Sequence, residues 1–525
     1  MKAEKLLMSI SLLAVLLLFS GCGKELEDLS SPETGSGVES PDSSDQAEGD
    51  ILRLQVSDAG FSDANTGSRA IDEGLTTKFE DGDQIGLFVV NNENEVLHAN
   101  VPFTYNGKTW TAEQTVRIKG YPARVFAYYP YVPDDEIIEK IDSTVDNYSD
   151  FFKTYIDELD ISNQSSLADY RKADVMACMV KVESKEEARQ PLTLTMNHLM
   201  GLVIVKHPET VTLEYVQCYL KDDPSYEWTS EDVLFPANLS NESFSVDGIQ
   251  HLKGGLGTGY YYLCRPGEKI SFSGGFTTYG KEKGYKMEST VNAGSSKTYN
   301  VSVASFRVEG KVEYAPQIGD FYMNDGDILP IISEKHKNNC IGIVFWSPTE
   351  TDPLDSHNAA WLADHPNCTH GLVVGLQQIQ TSWGLLGTWM PTSESSDGIF
   401  RGYSNTNQLA SSHPDSPIIN FYNSIKQTVS LPRNKTSGWY VPSVSELSKL
   451  CGYPQTQIYS MVNISLKKLI DLQLSIKELL YGSSKYWTAG GFSYSYAFYV
   501  DLRSDGSAGT GERSYNHSLR LIFAF

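Results

Sequence analysis

Residues 51–308 alternate between short apolar strands and turns rich in glycine, asparagine and serine, and this spacing limits the possible folds most strongly. Gln84–Val90 is a short apolar strand, and Asn106-Gly107 favours the positive φ angles of a tight hairpin between two further strands. Arg124–Val132 is an aromatic strand, and Leu192–Val205 alternates before it becomes continuously apolar, as a buried strand does. Strands at this spacing predict β-sandwiches.

Residues 309–525 combine strand and helix signals, which predicts an α+β domain. Ser416-Pro417 precedes apolar residues at helical spacing, and proline favours the first turn of a helix. Ser443 and Glu446 form a capping box at the start of a second helix. A third helix is predicted over about residues 465–480.

The N-terminus reads as an export signal over residues 1–21. Lys2 and Lys5 precede the apolar run Leu6–Phe19, which is shorter than the roughly 20 residues that a membrane span needs. The run ends in Ser20-Gly21-Cys22, which resembles a bacterial lipobox. That resemblance implies cleavage before Cys22 and a diacylglycerol group on its sulfur. The alternative is an ordinary signal peptide followed by a chance cysteine.

Residues 22–50 are rich in serine, glycine and acids, and they predict a flexible tether. The early acids Glu25, Glu27 and Asp28 resemble the export tag that sends some lipoproteins to the outer face of the outer membrane. An acidic spacer that only aids solubility is the alternative. The expected location is therefore the outer membrane, with the protein exposed on the surface through its lipid anchor.

Charge and motifs argue against several classes of function. Acidic residues outnumber basic ones by 66 to 42, for a net charge of −24, which argues against a nucleic-acid partner. Neither an HExxH zinc helix nor a GxSxG nucleophile elbow occurs, so we expect no enzyme activity and no cofactor.

One set of side chains could bind a metal ion, and a second set could form disulfides. Asp364, His365, Cys368 and His370 are close in sequence, but a metal site would need them to converge, and we predict a polar loop without metal. The six cysteines after Cys22 are widely and irregularly spaced, which favours buried apolar side chains over any specific bridge. They are Cys178, Cys218, Cys264, Cys340, Cys368 and Cys451.

Five segments in order resemble the fimbrillin family, also called type V pilins or Mfa-like proteins. They read FEDGDQIGLFVV, FTYNGKTW, VFAYYPYVP, SSLADYRKADVMAC and LTMNHLMGLVIVKH. The resemblance implies a mainly β fold with two tandem β-sandwiches, which we place at residues 51–208 and 209–308. It also implies export as an outer-membrane lipoprotein.

The last part of the chain resembles the C-type-lectin-like C-terminal domains of bacterial surface proteins. The matching segments are HGLVVGL, GWYVPSVSELSKL, YWTAG, AFYVDL and LRLIFAF. The resemblance implies a lectin-like α+β domain at residues 309–525. The short motifs of calcium-dependent sugar binding are absent, so a ligand site would use aromatic stacking with a polar rim. The candidate contacts are Trp383, Trp389, Tyr403, Trp487 and Tyr494; core packing is the alternative for each.

The resemblance to fimbrillins also implies a candidate proteolytic processing site at Arg69-Ala70. In that family an arginine-specific protease trims the N-terminus, and a neighbouring subunit then supplies a strand to the opened groove. Arg69-Ala70 lies in a polar stretch that a protease can reach, although an ordinary loop arginine is the alternative.

The function expected from these features is that of a fimbrial subunit at the tip or in an accessory position. A stalk subunit of this family usually ends with its second sandwich, whereas this chain continues into a further region that would act as a lectin-like adhesive domain. The expected partners are other fimbrial subunits and a glycan or protein ligand. The alternative is a stand-alone outer-membrane lipoprotein that binds such a ligand without polymerising.

Overall fold

The computed structural model of the chain describes residues 50–63, 76–133, 136–251, 259–384, 394, 397–432, 434–451, 457–479, 485–502 and 507–525. It is mainly β, as predicted. No helix in these residues has the length and apolar character needed to cross a bilayer.

The strands before the C-terminal region are, in chain order, β1 (Asp50–Ile51), β2 (Leu54–Asp58), β3 (Ser62–Asp63), β4 (Gln84–Val90), β5 (Val96–Tyr105), β6 (Trp110–Thr111), β7 (Arg117–Ile118), β8 (Ala123–Tyr129), β9 (Met176–Val182), β10 (Leu192–His198), β11 (Gly201–Lys206), β12 (Thr210–Leu220), β13 (Glu227–Pro236), β14 (Ser240–Val246), β15 (Ile249–Gln250), β16 (Tyr260–Cys264), β17 (Lys269–Thr278), β18 (Lys281–Thr290), β19 (Ser295–Asn300) and β20 (Phe306–Tyr314). The later strands are β21 (Phe321–Met323), β22 (Ile328–Leu329), β23 (Cys340–Trp346), β24 (Leu372–Gly375), β25 (Ile379–Thr381), β26 (Lys485–Gly491), β27 (Tyr496–Asp501), β28 (Ala508–Glu512), β29 (His517–Leu519) and β30 (Ile522–Ala524).

The α-helices are α1 (Glu136–Glu139), α2 (Tyr148–Phe151), α3 (Lys153–Glu158), α4 (Leu167–Ala173), α5 (Lys185–Ala188), α6 (Gly402–Ser412), α7 (Pro417–Thr428), α8 (Val444–Cys451) and α9 (Gln457–Asp471). Short 3₁₀ helices span Lys337–Asn339, Leu354–His357 and Ala360–Ala363.

The largest sheet has the order β2-β10-β9-β8-β4-β5-β6, and its central strands are covered on both faces. Successive side chains of a strand point to opposite faces. In β4, Leu87 and Val89 therefore enter one core, while Phe88 and Val90 enter a second core with α2. Residue 86 of the same strand has to be glycine, because a Cβ atom there would overlap the Tyr128 ring. The predicted strand Gln84–Val90 is confirmed.

The stretch predicted as one strand over Leu192–Val205 is two strands in two sheets. β10 stays in the seven-stranded sheet and alternates between buried and exposed residues. β11 is almost wholly buried and belongs to a second sheet with the order β16-β11-β19-β3. The change from alternating to continuous apolar character marks the passage between sheets.

The strands β12, β13 and β20 form a separate sheet that packs against the C-terminal region. One continuous hydrophobic core runs from Val211 to Phe525. The Tyr226 hydroxyl lies 2.8 Å from that of Tyr322, and Ser230 Oγ donates to Asp327 at 2.5 Å. β20 crosses residue 308, and β11 precedes residue 208 although it pairs with β16 and β19. The domain boundaries at 208 and 308 stay predictions.

The C-terminal region contains the two helices whose starts were predicted. α7 begins at Pro417, and the Ser443–Glu446 capping box precedes α8. The third helix was misplaced: α9 covers Gln457–Asp471 instead of about 465–480. Its buried face begins at Val462, and the chain turns at Gln473, which has a φ of +67°.

Arg520 is a buried cation that holds the end of the chain in place. Its guanidinium donates to the carbonyl of Gly375 at 3.1 Å, to Gln378 Oε1 at 2.9 Å and to the carbonyl of Lys477. Oxygen acceptors therefore replace the water that this charge loses on burial. Residue 520 thereby joins β24 to the extended chain that follows α9.

The capping box also buries a carboxyl group completely. Glu446 Oε2 accepts from the Ser443 amide at 2.6 Å, the Ser443 hydroxyl at 2.6 Å and the Gly402 amide at 3.1 Å. Burial raises the pKa of Glu446 to about 7, although these hydrogen bonds oppose the shift. The folded protein therefore favours the protonated form of this carboxyl group.

We expect Glu446→Gln to weaken the dependence of unfolding free energy on pH. Because the folded pKa lies above the unfolded one, the stabilising contribution is present below about pH 4.5 and is lost as pH rises through about 7. The wild type should lose on the order of 3 kcal/mol more than the variant across this range. Denaturant unfolding followed by tryptophan fluorescence measures this. Glu478→Gln, at an exposed position, is the matched control, and identical profiles for wild type and Glu446→Gln would contradict the expectation.

Candidate functional site

The N-terminal segment, defined here as residues 50–63, adds edge strands to three sheets. β1 pairs with β7, β2 runs parallel to β10, and β3 runs parallel to β19. Leu54 lies opposite Leu192, and Asp58 lies opposite Met196. The segment thus crosses from the largest sheet to the second sheet beside the point where β10 gives way to β11.

Apolar side chains of the N-terminal segment enter both adjoining cores. Leu52 and Leu54 pack into the core that contains Leu192 and Met196, whereas Phe61 enters the core beneath α2. The exposed fractions are 5% for Leu52, 7% for Leu54 and 5% for Phe61. Removing the segment would expose apolar surface in two places.

A buried polar cluster fastens the segment where it changes sheets. We call Asp58, His198 and Asp174 the His198 cluster. His198 Nδ1 lies 2.6 Å from Asp174 Oδ1, and its Nε2 lies 3.2 Å from Asp58 Oδ2. The side chains of His198 and Asp58 are 1% and 2% exposed. Phe61 stacks on the imidazole ring with a centroid distance of 3.7 Å.

The charges of the His198 cluster reinforce one another. Burial lowers the pKa of His198, but the charge and hydrogen bond of Asp174, together with those of Asp58, outweigh it and raise the pKa to about 9. Burial raises the pKa of Asp58, but its contacts with His198 leave that pKa below its ordinary value. With its pKa at about 9, His198 is protonated at neutral pH and lies between the side chains of Asp174 and Asp58.

The predicted processing and lipidation sites lie outside the described residues. Arg69 and Ala70 fall in the gap between residues 63 and 76, and Cys22 precedes residue 50. The structure nonetheless describes both sides of that gap. Thr77 donates its backbone N–H to Asp58 Oδ2 at 2.5 Å.

The predicted aromatic ligand contacts divide between core and surface. Trp383 and Trp487 are fully buried, and their indole N–H groups donate to the carbonyls of Thr488 at 2.7 Å and Thr381 at 2.9 Å. Because both rings are buried in the core, neither is available at the surface to contact a ligand. Tyr403 is half-buried, and Trp389 lies outside the described residues.

Tyr494 is 57% exposed and belongs to a larger group that the sequence analysis missed. We call Phe492, Tyr494, Tyr496 and Tyr515 the aromatic surface; their exposed fractions run from 45% to 58%. The Arg513 amide donates to the Ser495 carbonyl at 2.9 Å, which brings the turn with Tyr515 beside the other three residues. Phe492, Tyr494 and Tyr496 lie in or next to the turn that joins β26 to β27, and three aromatic residues so close together between two predicted strands are the signal that could have revealed it.

The possible metal ligands do not form a common site. Asp364 Oδ2 and His365 Nε2 both contact the Tyr403 hydroxyl, at 3.0 and 3.2 Å, while His370 Nε2 lies 3.3 Å from Asp223 Oδ2. In the described parts of the chain, no three His, Cys, Asp or Glu side chains are placed to hold a metal ion. Cys368 is buried and free, as are Cys178, Cys218, Cys264 and Cys340.

We expect Trp487→Ala and Tyr494→Ala to differ sharply in stability. Truncating a fully buried tryptophan costs about 3–5 kcal/mol, whereas truncating an exposed surface residue changes stability by about 0.5 kcal/mol or less. Denaturant unfolding of both variants measures the difference. Equal losses would contradict the assignment of one ring to the core and the other to the surface.

We expect His198→Gln to lose its effect on stability as the pH rises. The folded pKa of His198 lies above its unfolded value of 6.5, so its stabilisation is fully present below about pH 6.5 and is lost through about pH 9. The difference from wild type should reach at most about 3 kcal/mol and shrink through that window. Thermal unfolding between pH 6 and 10 measures it, with His413→Gln as the control. A difference independent of pH would contradict the charge assignment.

The chain is similar in sequence to a known protein family and to a curated protein. Residues 68–319 match the family model described as Fimbrillin-like. Fim1C of Bacteroides ovatus, proposed to be a fimbrium tip subunit, is 27% identical over 577 aligned positions that cover all of both chains.

Solved structures of fimbrial and adhesion proteins also align with the chain. A fimbrial protein of Bacteroides ovatus is 24% identical, with 91% of this chain and 100% of that chain covered and a TM-score of 0.36. A Bacteroides uniformis protein, proposed to act in cell adhesion, is 16% identical, with 48% and 94% covered and a TM-score of 0.29. Residues 68–319, just under half of the chain, are thus similar to the Mfa-like fimbrillin family.

Proposed function

We propose that the chain is a cell-surface fimbrial subunit, at the tip or in an accessory position, that accepts a strand from a neighbouring subunit. The observation that carries this proposal is the position of the N-terminal segment. All three of its strands precede Arg69-Ala70, so cleavage there would detach them from the rest of the chain.

Loss of the segment would create a groove suited to strand addition. We call this the N-terminal groove. The free edge of β10 would offer unpaired backbone groups, and the apolar side chains Leu192, Leu194 and Met196 would lose their cover. An unpaired edge next to an apolar strip is the usual acceptor for a donated strand.

The opposite end of the chain supports a terminal position in the polymer. β30 pairs with β24, and Tyr440 bridges to Ile522. Leu521 to Phe525 are each exposed by 2% or less. Residues built so deeply into the C-terminal region are poorly suited to serve as a donor strand. We therefore propose that these residues do not act as a donor strand.

The C-terminal region would then face outward as a lectin-like adhesive domain. The aromatic surface offers four flat rings, of which the three tyrosines also carry hydroxyl groups, and such rings suit stacking on a glycan or packing on a protein. Of the ligand contacts predicted from the sequence, Tyr494 belongs to this surface. The proposed activity involves no catalysis and no cofactor.

Lipidation at Cys22 would anchor the protein to the outer membrane before any cleavage. Lipidation at Cys22 and cleavage after Arg69 would therefore be successive steps. Removal of the residues before Ala70 would also remove the lipid anchor. The alternative function is a stand-alone surface lipoprotein. The His198 cluster favours it, because an uncut N-terminal segment keeps the N-terminal groove filled.

We expect Arg69→Ala to block entry of this protein into fimbriae. Appendages sheared from cells would be probed for the protein, and its N-terminus would be determined by mass spectrometry. The wild type should begin at Ala70 in the sheared polymer. Arg53→Ala, which changes an exposed arginine of the N-terminal segment, is the control and should behave as wild type.

Two other results have distinct meanings. Lipidated Cys22 found together with the polymer would indicate an anchor or an uncleaved accessory subunit. Lipidated Cys22 found in the membrane fraction alone would contradict the fimbrial function and leave the stand-alone binder.

A further inference from the structure

We propose that the N-terminal groove selects its incoming strand by side-chain chemistry, requiring a carboxylate at the position of Asp58 and an aromatic ring at the position of Phe61. The inference rests on the proposed function, because it concerns the strand that replaces the N-terminal segment. The partner is thus a strand of another subunit that carries an acidic residue three positions before an aromatic one.

The carboxylate requirement comes from two donors that stay behind when the segment leaves. Asp58 Oδ2 lies 3.2 Å from His198 Nε2 and accepts the Thr77 N–H at 2.5 Å. Both His198 and Thr77 follow Ala70 in the chain. A trimmed protein therefore keeps a pair of converging N–H groups with no acceptor from the lost segment.

The orientation of His198 is fixed independently of the segment. Asp174 holds Nδ1 at 2.6 Å, so Nε2 points toward the groove. Asp174 also favours the imidazolium, whose charge attracts an anion. An apolar side chain at this position would leave the buried Nε2–H without an acceptor, and a neutral amide would replace a charge-assisted hydrogen bond by a weaker one. The groove therefore discriminates between strands as well as binding them.

The aromatic requirement comes from the face of the His198 ring that Phe61 covers. Phe61 stacks on His198 with an interplanar angle of 22°, and it is 5% exposed. An aromatic ring over an imidazolium gains a cation–π attraction and excludes water from the ion pair. A small side chain would leave the cluster open to solvent.

The spacing of the required groups follows from the register. β2 runs parallel to β10, with Leu54 buried and Asp58 opposite Met196. Gly60 then takes a φ of +71° where the chain turns toward the second sheet. The expected pattern of the donor is an apolar residue, three residues, an acid, one residue, a glycine and an aromatic residue.

Strand replacement in a trimmed full-length chain tests this. A site-specific protease sequence would replace residues 66–71, and the cut protein would be incubated with a labelled peptide of residues 50–63. Incorporation would be followed by fluorescence anisotropy and native electrophoresis. We expect the wild-type peptide to enter. Asp58→Asn and Phe61→Ala peptides should bind at least about tenfold more weakly.

Matched controls separate the side-chain effect from general strand affinity. A Gln55→Glu peptide gains a carboxylate at an exposed position and should bind within about twofold of wild type. In a His198→Gln protein, the preference for the wild-type peptide over Asp58→Asn should disappear, as a double-mutant cycle would show. A purely structural role of His198 would weaken both peptides equally and would overturn the inference.

The outcomes also distinguish the inference from the function on which it rests. Failure of the wild-type peptide to enter the trimmed protein would contradict the N-terminal groove itself. Entry of wild-type and Asp58→Asn peptides with equal affinity would overturn the carboxylate requirement and leave the groove intact. Equal affinity of wild-type and Phe61→Ala peptides would likewise overturn the aromatic requirement.

Discussion

The buried ion pairs of His198 lie where the chain leaves the largest sheet for the second sheet. The chain passes from the largest sheet to the second sheet between β10 and β11, and the N-terminal segment makes the same crossing alongside it. Asp174 fixes the ring from one side, and Asp58 reaches it from the other. A buried charge is tolerated there because it is paired on both nitrogens. A cut after Arg69 would remove Asp58 from this cluster and leave the pair of His198 and Asp174 in place.

This arrangement couples stability to assembly state. An intact segment fills the edge of β10, covers two cores and supplies the carboxyl group that contacts His198 Nε2. The same features that stabilise the uncut chain define what any replacement strand must supply. Under the proposed function, closure of the groove before cleavage and selection of a strand after it would both follow from this one set of contacts.

Sequence reasoning succeeded where the signal was local. β4 follows a turn and contains a short apolar run, and α7 begins at a proline with apolar residues at helical spacing. It failed where burial and sheet membership depend on distant partners. Residues 192–205 look continuous in sequence, yet the two strands pair with different neighbours. Trp487 and Tyr494 are both aromatic residues near one hairpin, and only the packing of β26 against the rest of the region separates core from surface.

The buried end of the chain has a consequence for stoichiometry. If the chain holds the proposed tip position and residues 522–524 stay paired with β24, each fibre would carry a single copy of it. The number of fibres on a cell would then scale with the abundance of this chain, whereas the length of each fibre would scale with the supply of stalk subunits. The molar ratio of the two in a purified preparation would report the mean fibre length directly.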